Sequence, residues 1–240
     1  MSSRKPEVGQ TAVRRKPNAN TESVDNYLKA IFTLSGPDER RVTSTALAER
    51  LGVAPASVTN MLQKLASSPT PLVEYERHRG VRLSNGGKRR ALEVVRHHRL
   101  IETFLFEVLD YPIDEVHDEA ERLEHFISER FEERMDAKLG YPKIDPHGHC
   151  IPTLDGKLFT QNSVPLTEMP EQGEFTVESI SDHDAALLKS LRTNNIRPGV
   201  RIRVRNRPGA DGYAVSVGKS TKVLHLSHAA AEMIKVHSLH

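Results

Sequence analysis

Two segments of the chain place histidine and glutamate at intervals of one helical turn. The first segment contains His98 and Glu102, which are four residues apart. Residues three or four positions apart share one face of an α-helix, so each segment would present its side chains together. Imidazole and carboxylate groups both bind divalent first-row metal ions, so the pattern indicates a metal site between two helices. The second segment contributes four such residues: His117, Glu121, Glu124 and His125.

A purely structural explanation of these residues stays open at this point. His98 lies on a stripe that is otherwise apolar, with Val94, Ile101 and Leu105, and a polar group there is costly unless it is paired. A single buried histidine is satisfied by an ordinary hydrogen bond, and a Glu/His pair is often a solvent-exposed surface pair. Spacing alone therefore does not decide between metal binding and structure.

Charge is distributed unevenly along the 240 residues. The net charge is only +2, from 34 Lys and Arg against 32 Asp and Glu, so total charge does not identify a nucleic-acid-binding protein. The stretch 110–136 is acidic, whereas most basic runs lie in the first hundred residues. This segregation indicates one surface for phosphate and another with a different role. The basic runs are Arg14-Arg15-Lys16, Arg40-Arg41, Arg77-His78-Arg79 and Lys88-Arg89-Arg90.

Cysteine content and hydropathy bear on the cellular compartment. Cys150 is the only cysteine, which excludes an internal disulfide framework and favours a reducing cytoplasm. No window reaches the roughly 18 apolar residues that a membrane span needs, so no membrane partner is expected. The N-terminus is basic but has no apolar segment, so it does not resemble a secretory signal. We expect a cytoplasmic protein.

The N-terminal third has the pattern of a winged helix-turn-helix. Apolar spacing predicts helices over 23–35, from Thr43 or Ser44 to about 51, and over 55–67, and a Gly-containing turn joins the last two. Strand-like segments at 72–76 and 81–83 flank a basic hairpin, which is typical of a wing. The prediction is a winged helix over 21–86, preceded by a disordered basic tail over 1–20.

The remaining chain divides into helical and β-rich parts. A long helix from 84 or 85 to 109 and an acidic helical stretch over 114–140 predict a helical domain over 87–140, whose apolar faces a homodimer would bury. Residues 141–170 are rich in Pro and Gly and are predicted to be an extended linker. Strands at 175–180, 200–204, 213–217 and 222–226, with a helix at 185–192, predict a small β-barrel over 171–240. The fold class is mainly α with a β-rich C-terminal module.

The metal-type segments resemble the metal-binding core of the diphtheria-toxin-repressor family. They are His98-Arg99-Leu100-Ile101-Glu102 and the run Val116-His117-Asp118-Glu119-Ala120-Glu121-Arg122-Leu123-Glu124-His125. The resemblance extends from about Thr21 to the C-terminus. It implies a winged helix, a dimerisation and metal-binding domain, and an SH3-like domain. It also implies a metal-dependent repressor that binds a palindromic operator as a dimer and controls genes of metal uptake and homeostasis.

The resemblance implies two sets of metal ligands. The ancillary set is His98, Glu102 and His117. The primary set is Glu121, Glu124 and His125, completed from the first helix by Asp25 or Asn26. The SH3-like domain is expected to add donors to the ancillary set: Asp182, His183 and Asp184.

Two departures from the family pattern bear on metal choice. Iron-responsive members have Cys where this chain has Glu121 and Met where it has Asn26. Replacing these sulfur ligands with oxygen ligands favours Mn²⁺ over Fe²⁺. Fe²⁺ stays the alternative metal. Manganese members without a third domain have Asp in place of Asn26 and an acidic ligand in place of Lys29. A protonated lysine cannot bind a cation, so a closely spaced two-metal site is not expected. Asp25 would be displaced about 100° round the helix from the missing Asp.

The predicted recognition helix supplies candidates for reading DNA. Small apolar groups contact thymine methyls, and Asn60 can pair with an adenine edge. Phosphate contacts would position the protein without specifying sequence. An ordinary solvated face is the alternative. The base-reading candidates are Ala54, Pro55, Ala56, Ser57, Thr59 and Asn60. The phosphate-contact candidates are Thr43, Ser44, Lys64, Arg77 and Arg79.

Two other functions compete with a metal-dependent regulator. A metal hydrolase would need an open coordination position and a substrate cleft, and the chain has no His-Glu-x-x-His motif. The run His147-Gly148-His149-Cys150 could suggest a metal site, but it falls in the predicted linker. A winged-helix regulator of an organic ligand would have an apolar pocket between helices and a DNA response that EDTA does not change.

Overall fold

The computed structural model describes residues 19–159, 161–170, 172–206, 212–218, 220 and 222–238. The predicted basic tail over 1–20 lies outside the described residues except for its last two positions, which already belong to the first helix, α1 (Ala19–Ser35). This helix begins four residues before the predicted start at 23. Val24, Leu28 and Ile31 are buried on it at helical spacing, as the apolar pattern predicted.

Helices α2 (Ser44–Leu51) and α3 (Pro55–Ala66) form the helix-turn-helix. The Thr43 hydroxyl accepts a hydrogen bond from Ala46 N and caps α2, and Gly52 ends that helix in the left-handed conformation at φ 62°. Pro55 starts α3 without losing a hydrogen bond, because the first turn of a helix has no internal acceptor for its N–H groups. The buried residues Leu47, Val58 and Leu62 join these helices to the core beneath α1.

The wing consists of β1 (Val73–Glu76) and β2 (Gly80–Leu83), which pair antiparallel. An isolated bridge from Val42 to Val81 adds the chain before α2 to this small sheet. Gly80 has φ 89°, and a Cβ on it would lie 2.4 Å from the Val42 carbonyl oxygen. Glycine is therefore needed for the wing to approach α2.

Three helices form the second domain: α4 (Asn85–Val108), α5 (Val116–Leu123) and α6 (Glu129–Lys138). Ser84 caps α4 by accepting from Gly87 N, so of the two predicted starts, 84 or 85, the helix begins at 85. The acidic stretch therefore forms two short helices. Arg96 on α4 holds α6 in place, because its Nε lies 2.5 Å from Glu132 Oε1 and its Nη1 donates to the Pro152 carbonyl oxygen at 2.8 Å.

The C-terminal module contains a six-stranded antiparallel sheet that curls round a single core. Its elements are β3 (Val164–Pro165), β4 (Gly173–Ile180), α7 (Ala185–Thr193), β5 (Arg201–Asn206), β6 (Tyr213–Val217), β7 (Leu224–Leu226), α8 (His228–Glu232) and β8 (Ile234–Ser238). The strand order in the sheet is β3-β8-β4-β5-β6-β7. Four of the strands lie where strands were predicted, whereas β3, β8 and the short helix α8 were not predicted.

The segment 141–170 differs from the predicted extended linker. Its end forms β3, which pairs with β8, and a 3-10 turn (Leu166–Glu168) whose Leu166 is buried in the core of the module. Its first half folds back on itself through a bridge between Ile144 and Cys150. A two-residue strand has no hydropathy period, so the apolar pattern could not indicate it.

The loop 145–152 packs directly against the C-terminal module. Ile180 N donates to the His147 carbonyl oxygen at 2.9 Å. Gly148 has φ 89°, and a Cβ on it would lie 2.0 Å from the Glu178 carbonyl oxygen on β4. The close approach of these two backbones fixes the loop, with a fully buried His147 at its centre.

We expect Gly148→Ala to lower the melting temperature more than Gly199→Ala. Both glycines have positive φ, which costs an alanine about 1–2 kcal/mol, but only position 148 adds a backbone clash. A Cβ on Gly199 would meet no atom within 4 Å, so this variant isolates the effect of φ. Thermal unfolding followed by circular dichroism compares the two variants, and equal melting temperatures would contradict the packing of the loop on β4.

Candidate metal centre

Glu102 lies at the centre of a cluster of histidines and carboxylates from three parts of the chain. Its carboxylate is fully buried on α4. Oε1 lies 2.9 Å from His98 Nε2 and 3.3 Å from His117 Nδ1, and His117 Nδ1 lies 3.7 Å from Asp182 Oδ2. The position of His117 on α5 and of Asp182 after β4 brings the helical domain and the C-terminal module together at this carboxylate.

The other oxygen of Glu102 faces the loop 145–152. Glu102 Oε2 lies 3.7 Å from His147 Nδ1, and neither atom has a hydrogen-bond partner. Asp145 Oδ2 is also buried without a hydrogen-bond partner, and its charge is met by Arg99 Nε at 3.5 Å. Glu102, Asp145 and His147 form a second group whose ligand atoms lie within 4.8 Å of one another. Buried polar atoms without partners are costly, so the group fits a bound cation.

The spacing of these atoms suits a first-row metal ion. Ligand atoms held about 2.0–2.2 Å from such an ion lie roughly 3–4 Å from one another. The contacts that the cluster makes, from 2.9 Å between His98 and Glu102 to 3.7 Å between His117 and Asp182, agree with this spacing. The donors are imidazole nitrogens and carboxylate oxygens, a set that first-row divalent ions accept.

Each of two histidine rings makes a hydrogen bond on the side away from Glu102, and this bond fixes which ring nitrogen faces the cluster. His147 Nε2 lies 3.1 Å from the Ile113 carbonyl oxygen, so it carries the proton that it donates there and leaves Nδ1 toward Glu102. His98 Nδ1 lies 2.6 Å from Glu124 Oε2, which leaves Nε2 toward Glu102. Partners of this kind orient metal-binding imidazoles.

Without a metal ion the histidines hold protons that compensate the carboxylates. Burial alone would lower the pKa of His98, but the charge of Glu102 and hydrogen bonds to Glu102 and Glu124 raise it to about 10. Burial likewise opposes the charge of His147, whose pKa the neighbouring Glu102 and Asp145 raise to about 9. Burial would raise the pKa of Glu102, but the surrounding histidines hold it well below its usual range.

Asp182 and His183, which the C-terminal module contributes, both have lowered pKa values. Burial and Glu102 act to raise the pKa of Asp182, but His149, His183 and His117 lower it to about 2, so this carboxylate is ionised. Burial lowers the pKa of His183 to about 4, so its ring is neutral at pH 7. Asp184 lies apart from this cluster and instead caps α7 by accepting from Leu187 N at 2.9 Å.

A second cluster joins α1 to α5 and to the turn that follows it. Helix α5 ends at Leu123, so Glu124 and His125 lie just beyond it, although Glu124 N still donates to the Ala120 carbonyl oxygen. Lys29 Nζ lies 2.7 Å from Glu121 Oε1 and 2.7 Å from Glu124 Oε1. An ammonium therefore occupies the position between the two carboxylates that the family resemblance assigns to a primary metal.

The first helix brings two side chains to His125. Asn26 Oδ1 lies 2.8 Å from His125 Nε2. Asp25 Oδ2 lies 3.8 Å from His125 Nδ1, while Oδ1 of the same carboxylate forms an ion pair with Arg90 Nε at 2.5 Å. Of the two predicted first-helix ligands, Asn26 therefore contacts His125 directly, whereas Asp25 forms its ion pair with α4.

Asp145 and His147 were missing from the predicted ligands. The run at 147–150 gave a signal, but its Pro- and Gly-rich surroundings are typical of a linker. The burial of His147 depends on contacts of the loop with α4 and β4, which are distant in sequence. Local pattern therefore could not place this histidine beside Glu102.

The predicted DNA-reading residues lie on one surface of the winged helix. Ala54, Pro55, Ala56, Ser57 and Asn60 are exposed, whereas Val58 and Leu62 on the opposite face are buried. Thr59 is half-buried and its hydroxyl donates to the Pro55 carbonyl oxygen at 3.1 Å. Gln63, which was not among the candidates, is exposed one turn after Asn60.

The predicted phosphate contacts flank this surface. Lys64, Arg77 and Arg79 are exposed, and Arg79 Nη1 forms an ion pair with Glu76 at 3.2 Å. Thr43 is exposed and its hydroxyl caps α2, while Ser44 is half-buried at the first position of that helix. Cations at the wing and a helix N-terminus therefore border the exposed start of α3.

Comparison with known proteins follows the same division into three parts. Three family models match in succession: an iron dependent repressor N-terminal DNA binding domain over 20–81, an iron dependent repressor metal binding and dimerisation domain over 84–153, and a FeoA domain over 164–238. The iron-dependent repressor IdeR of Mycobacterium tuberculosis is 30% identical over 233 residues, which cover 91% of this chain and 98% of that protein. The chain belongs to the diphtheria-toxin-repressor family of metal-dependent regulators.

Members of this family are transcriptional repressors, and this chain is accordingly a metal-dependent DNA-binding regulator and not an enzyme. The HTH-type transcriptional regulator MntR of Oceanobacillus iheyensis is 34% identical over 126 residues, which cover 52% of this chain and 82% of that protein. Helices long and apolar enough to cross a membrane are absent among the described residues.

Solved structures share the whole architecture. A manganese-dependent transcriptional repressor in complex with manganese superposes with a TM-score of 0.82 and 39% identity, covering 90% of this chain and 100% of that one. The repressor ScaR with bound Zn²⁺ superposes with a TM-score of 0.76 and 31% identity, covering 93% of this chain and 100% of that one. The predicted fold class is confirmed: helical DNA-binding and metal-binding domains followed by an SH3-like β-rich module.

We expect metal binding to release protons and to strengthen with pH. His98 and His147, with pKa values near 10 and 9 in the metal-free protein, are charged at pH 7, and a metal ion binds only the neutral ring. The apparent affinity should rise by about tenfold per pH unit for each proton released, and the rise should end as pH passes 9 to 10.

Titration calorimetry in two buffers of different ionisation enthalpy counts the protons. His147→Gln should release about one proton fewer than the wild type. An affinity that does not change between pH 7 and 8.5 would contradict the assignment of these histidines. In the metal-free protein the same raised pKa values contribute stability that is complete below the unfolded value, near 6.5, and is lost as pH rises through 9 to 10.

Proposed function

We propose that this protein is a manganese-activated repressor, with the Glu102 cluster as the site that senses the metal. The observation that carries the proposal is the buried Glu102 carboxylate, which presents its two oxygens to two different donor groups. The proposed ligands include the predicted His98, Glu102, His117 and Asp182, with His147 and Asp145 added from the loop. Carboxylate oxygens favour Mn²⁺ over softer metals, and Fe²⁺ is the alternative.

The proposed mechanism couples this site to the DNA-binding domain through α4 and α1. Helix α4 carries His98 and Glu102 and packs against α1, whose apolar residues belong to the core of the winged helix. A metal ion at Glu102 would hold α4, α5 and the C-terminal module in one arrangement. It increases DNA affinity only if it binds more tightly to the arrangement that binds DNA.

The helical domain offers an apolar surface for a homodimer. Large hydrophobic side chains are exposed near the ends of α4 and α5 and at the start of α6, and a two-fold partner would bury them. A two-fold dimer presents two recognition helices and would bind a palindromic operator, which we place upstream of genes for metal uptake and homeostasis. The exposed residues are Phe106, Leu109, Leu123, Phe126 and Phe131.

The primary test is a gel-shift titration of metal-free protein on DNA from upstream of its own gene. Mn²⁺ should tighten binding by about five- to 150-fold, the usual range of allosteric coupling, and EDTA should reverse the effect. Anaerobic Fe²⁺ is the second arm, and a clear preference for it would reverse the metal assignment. Strong binding that ignores both metals and EDTA would overturn the proposal and favour a regulator of an organic ligand.

We expect two variants to separate metal sensing from DNA reading. Glu102→Gln keeps the volume of the side chain but removes the charge that a cation needs, so Mn²⁺ binding and the metal-dependent gain in DNA affinity should both be lost. Asn60→Ala should weaken operator binding by about ten- to a hundredfold, the value of a bidentate base contact, with Mn²⁺ binding unchanged.

The matched control for the first variant is Glu174→Gln, which removes an exposed carboxylate of the C-terminal module. It should behave as the wild type in both assays. Calorimetry measures metal binding and fluorescence anisotropy measures DNA affinity. If Glu102→Gln still bound Mn²⁺ at the affinity of the wild type, the metal site would have to lie elsewhere.

A further inference from the structure

Lys29 makes three contacts that use its whole hydrogen-bonding capacity. Its ammonium Nζ lies 2.7 Å from Glu121 Oε1, 2.7 Å from Glu124 Oε1 and 2.8 Å from Glu124 Oε2. An ammonium has three N–H donors and no acceptor, so each donor has a carboxylate oxygen. The Lys29 side chain is only 13% exposed, and that of Glu124 is 0% exposed. The contact of Lys29 with Glu124 is therefore a buried ion pair, whereas Glu121, with 36% of its side chain exposed, lies at the edge of the cluster.

The same carboxylates form one of the three groups that could hold a metal ion among the described residues. His98, Glu121 and Glu124 place ligand atoms within 4.8 Å of one another. Two carboxylates this close repel each other unless a cation lies between them. The ammonium supplies that charge, and a divalent ion bound to the same oxygens would be strongly repelled by it at short range.

We infer that Lys29 is a built-in cation that replaces one metal ion of this centre, so that each subunit binds a single metal ion, at Glu102. Lys29 thereby determines metal stoichiometry and is a positioning residue for the remaining site. This inference rests on the proposed function, because it assumes that the Glu102 cluster binds metal.

Glu124 connects Lys29 to the metal site at Glu102. Glu124 Oε2, held by Lys29, lies 2.6 Å from His98 Nδ1, and the other nitrogen of that ring lies 2.9 Å from Glu102 Oε1. A continuous chain of contacts therefore runs from Lys29 through Glu124 and His98 to Glu102. Its first member lies on α1 next to Leu28, which is fully buried in the core of the winged helix.

This chain of contacts gives α1 a link to the metal-binding domain that needs no metal. A metal ion shared by α1 and α5 would make their connection depend on metal concentration, whereas an ammonium makes it permanent. The metal-dependent change is then confined to the junction of α4, α5, the loop 145–152 and the C-terminal module.

Metal stoichiometry tests the inference on full-length, metal-free protein. Calorimetry with Mn²⁺, and elemental analysis after dialysis, should give one ion per wild-type subunit. Lys29→Glu replaces the ammonium with a further carboxylate and should raise the value to two. Lys29→Met, which removes the charge and keeps an unbranched chain, should also gain a second, weaker ion. Lys189→Glu, an exposed position on α7 with the same change of charge, should stay at one.

Two ions on the wild type, or one ion on both Lys29 variants while they remain folded by circular dichroism, would overturn the inference. If Lys29→Glu fails to fold, the wild type and Lys29→Met decide it. No ion on the wild type would overturn the proposed function instead.

The role of the ammonium is then judged from metal-free protein alone. Lys29→Met should melt roughly 5–15 °C below the wild type, because it leaves the buried Glu124 carboxylate without its cation. An unchanged melting temperature of Lys29→Met would also overturn the assignment of Lys29 as a built-in cation. In a separate titration, Mn²⁺ should raise the melting temperature of Lys29→Met more than that of the wild type, because the ion at Glu102 stabilises both proteins and only the variant binds a second ion.

Discussion

The way in which the helical domain meets the loop 145–152 and the C-terminal module depends on compensation of one buried negative charge. The carboxylate of Glu102 has no exposed surface, and a charge removed from water in this way is tolerated only with several close partners of opposite charge or with a bound cation. Its partners are His98 on its own helix, His117 on α5 and His147 on the loop before the C-terminal module. Because they come from separate parts of the chain, the compensation of this charge also sets how those parts meet.

Two acidic clusters lie side by side, and on our proposals they differ in the cation that neutralises them. The cluster next to α1 has an ammonium fixed by the peptide chain, whereas the cluster at Glu102 holds protons that a metal ion can replace. The first cation is permanent and the second is exchangeable. His98 belongs to both clusters, so a change at the exchangeable site reaches the permanent one through a single ring.

Local signals in the sequence predicted most of the helices and the first domain. The helix starts near Thr43 and Ser84, the turn at Gly52 and the helical spacing of Val24, Leu28 and Ile31 are short-range features, and each is found in the structure. These features act within a few residues, so they are visible without knowledge of the rest of the fold.

The features that the sequence did not predict depend on contacts between distant residues. Strand β3 is two residues long and exists because β8 pairs with it, about seventy residues later. His147 is buried because Gly148 lets the loop approach β4. The absence of a ligand at Lys29 was predicted from its charge, but its pairing with Glu121 and Glu124 was not, since those residues lie more than ninety positions away.

The residues around Glu102 extend in sequence from His98 to Asp182, and this wide separation affects the lifetime of the protein. An unfolded chain does not hold such groups together, so a cation that binds them contributes its binding free energy to the folded state alone. If the proposed site binds a cation, scarcity of that cation would let the junction of the helical domain, the loop 145–152 and the C-terminal module open more often and would expose the loop to proteases. The cellular concentration of the regulator would then fall with the supply of the ion, so its amount and its activity would both report metal supply.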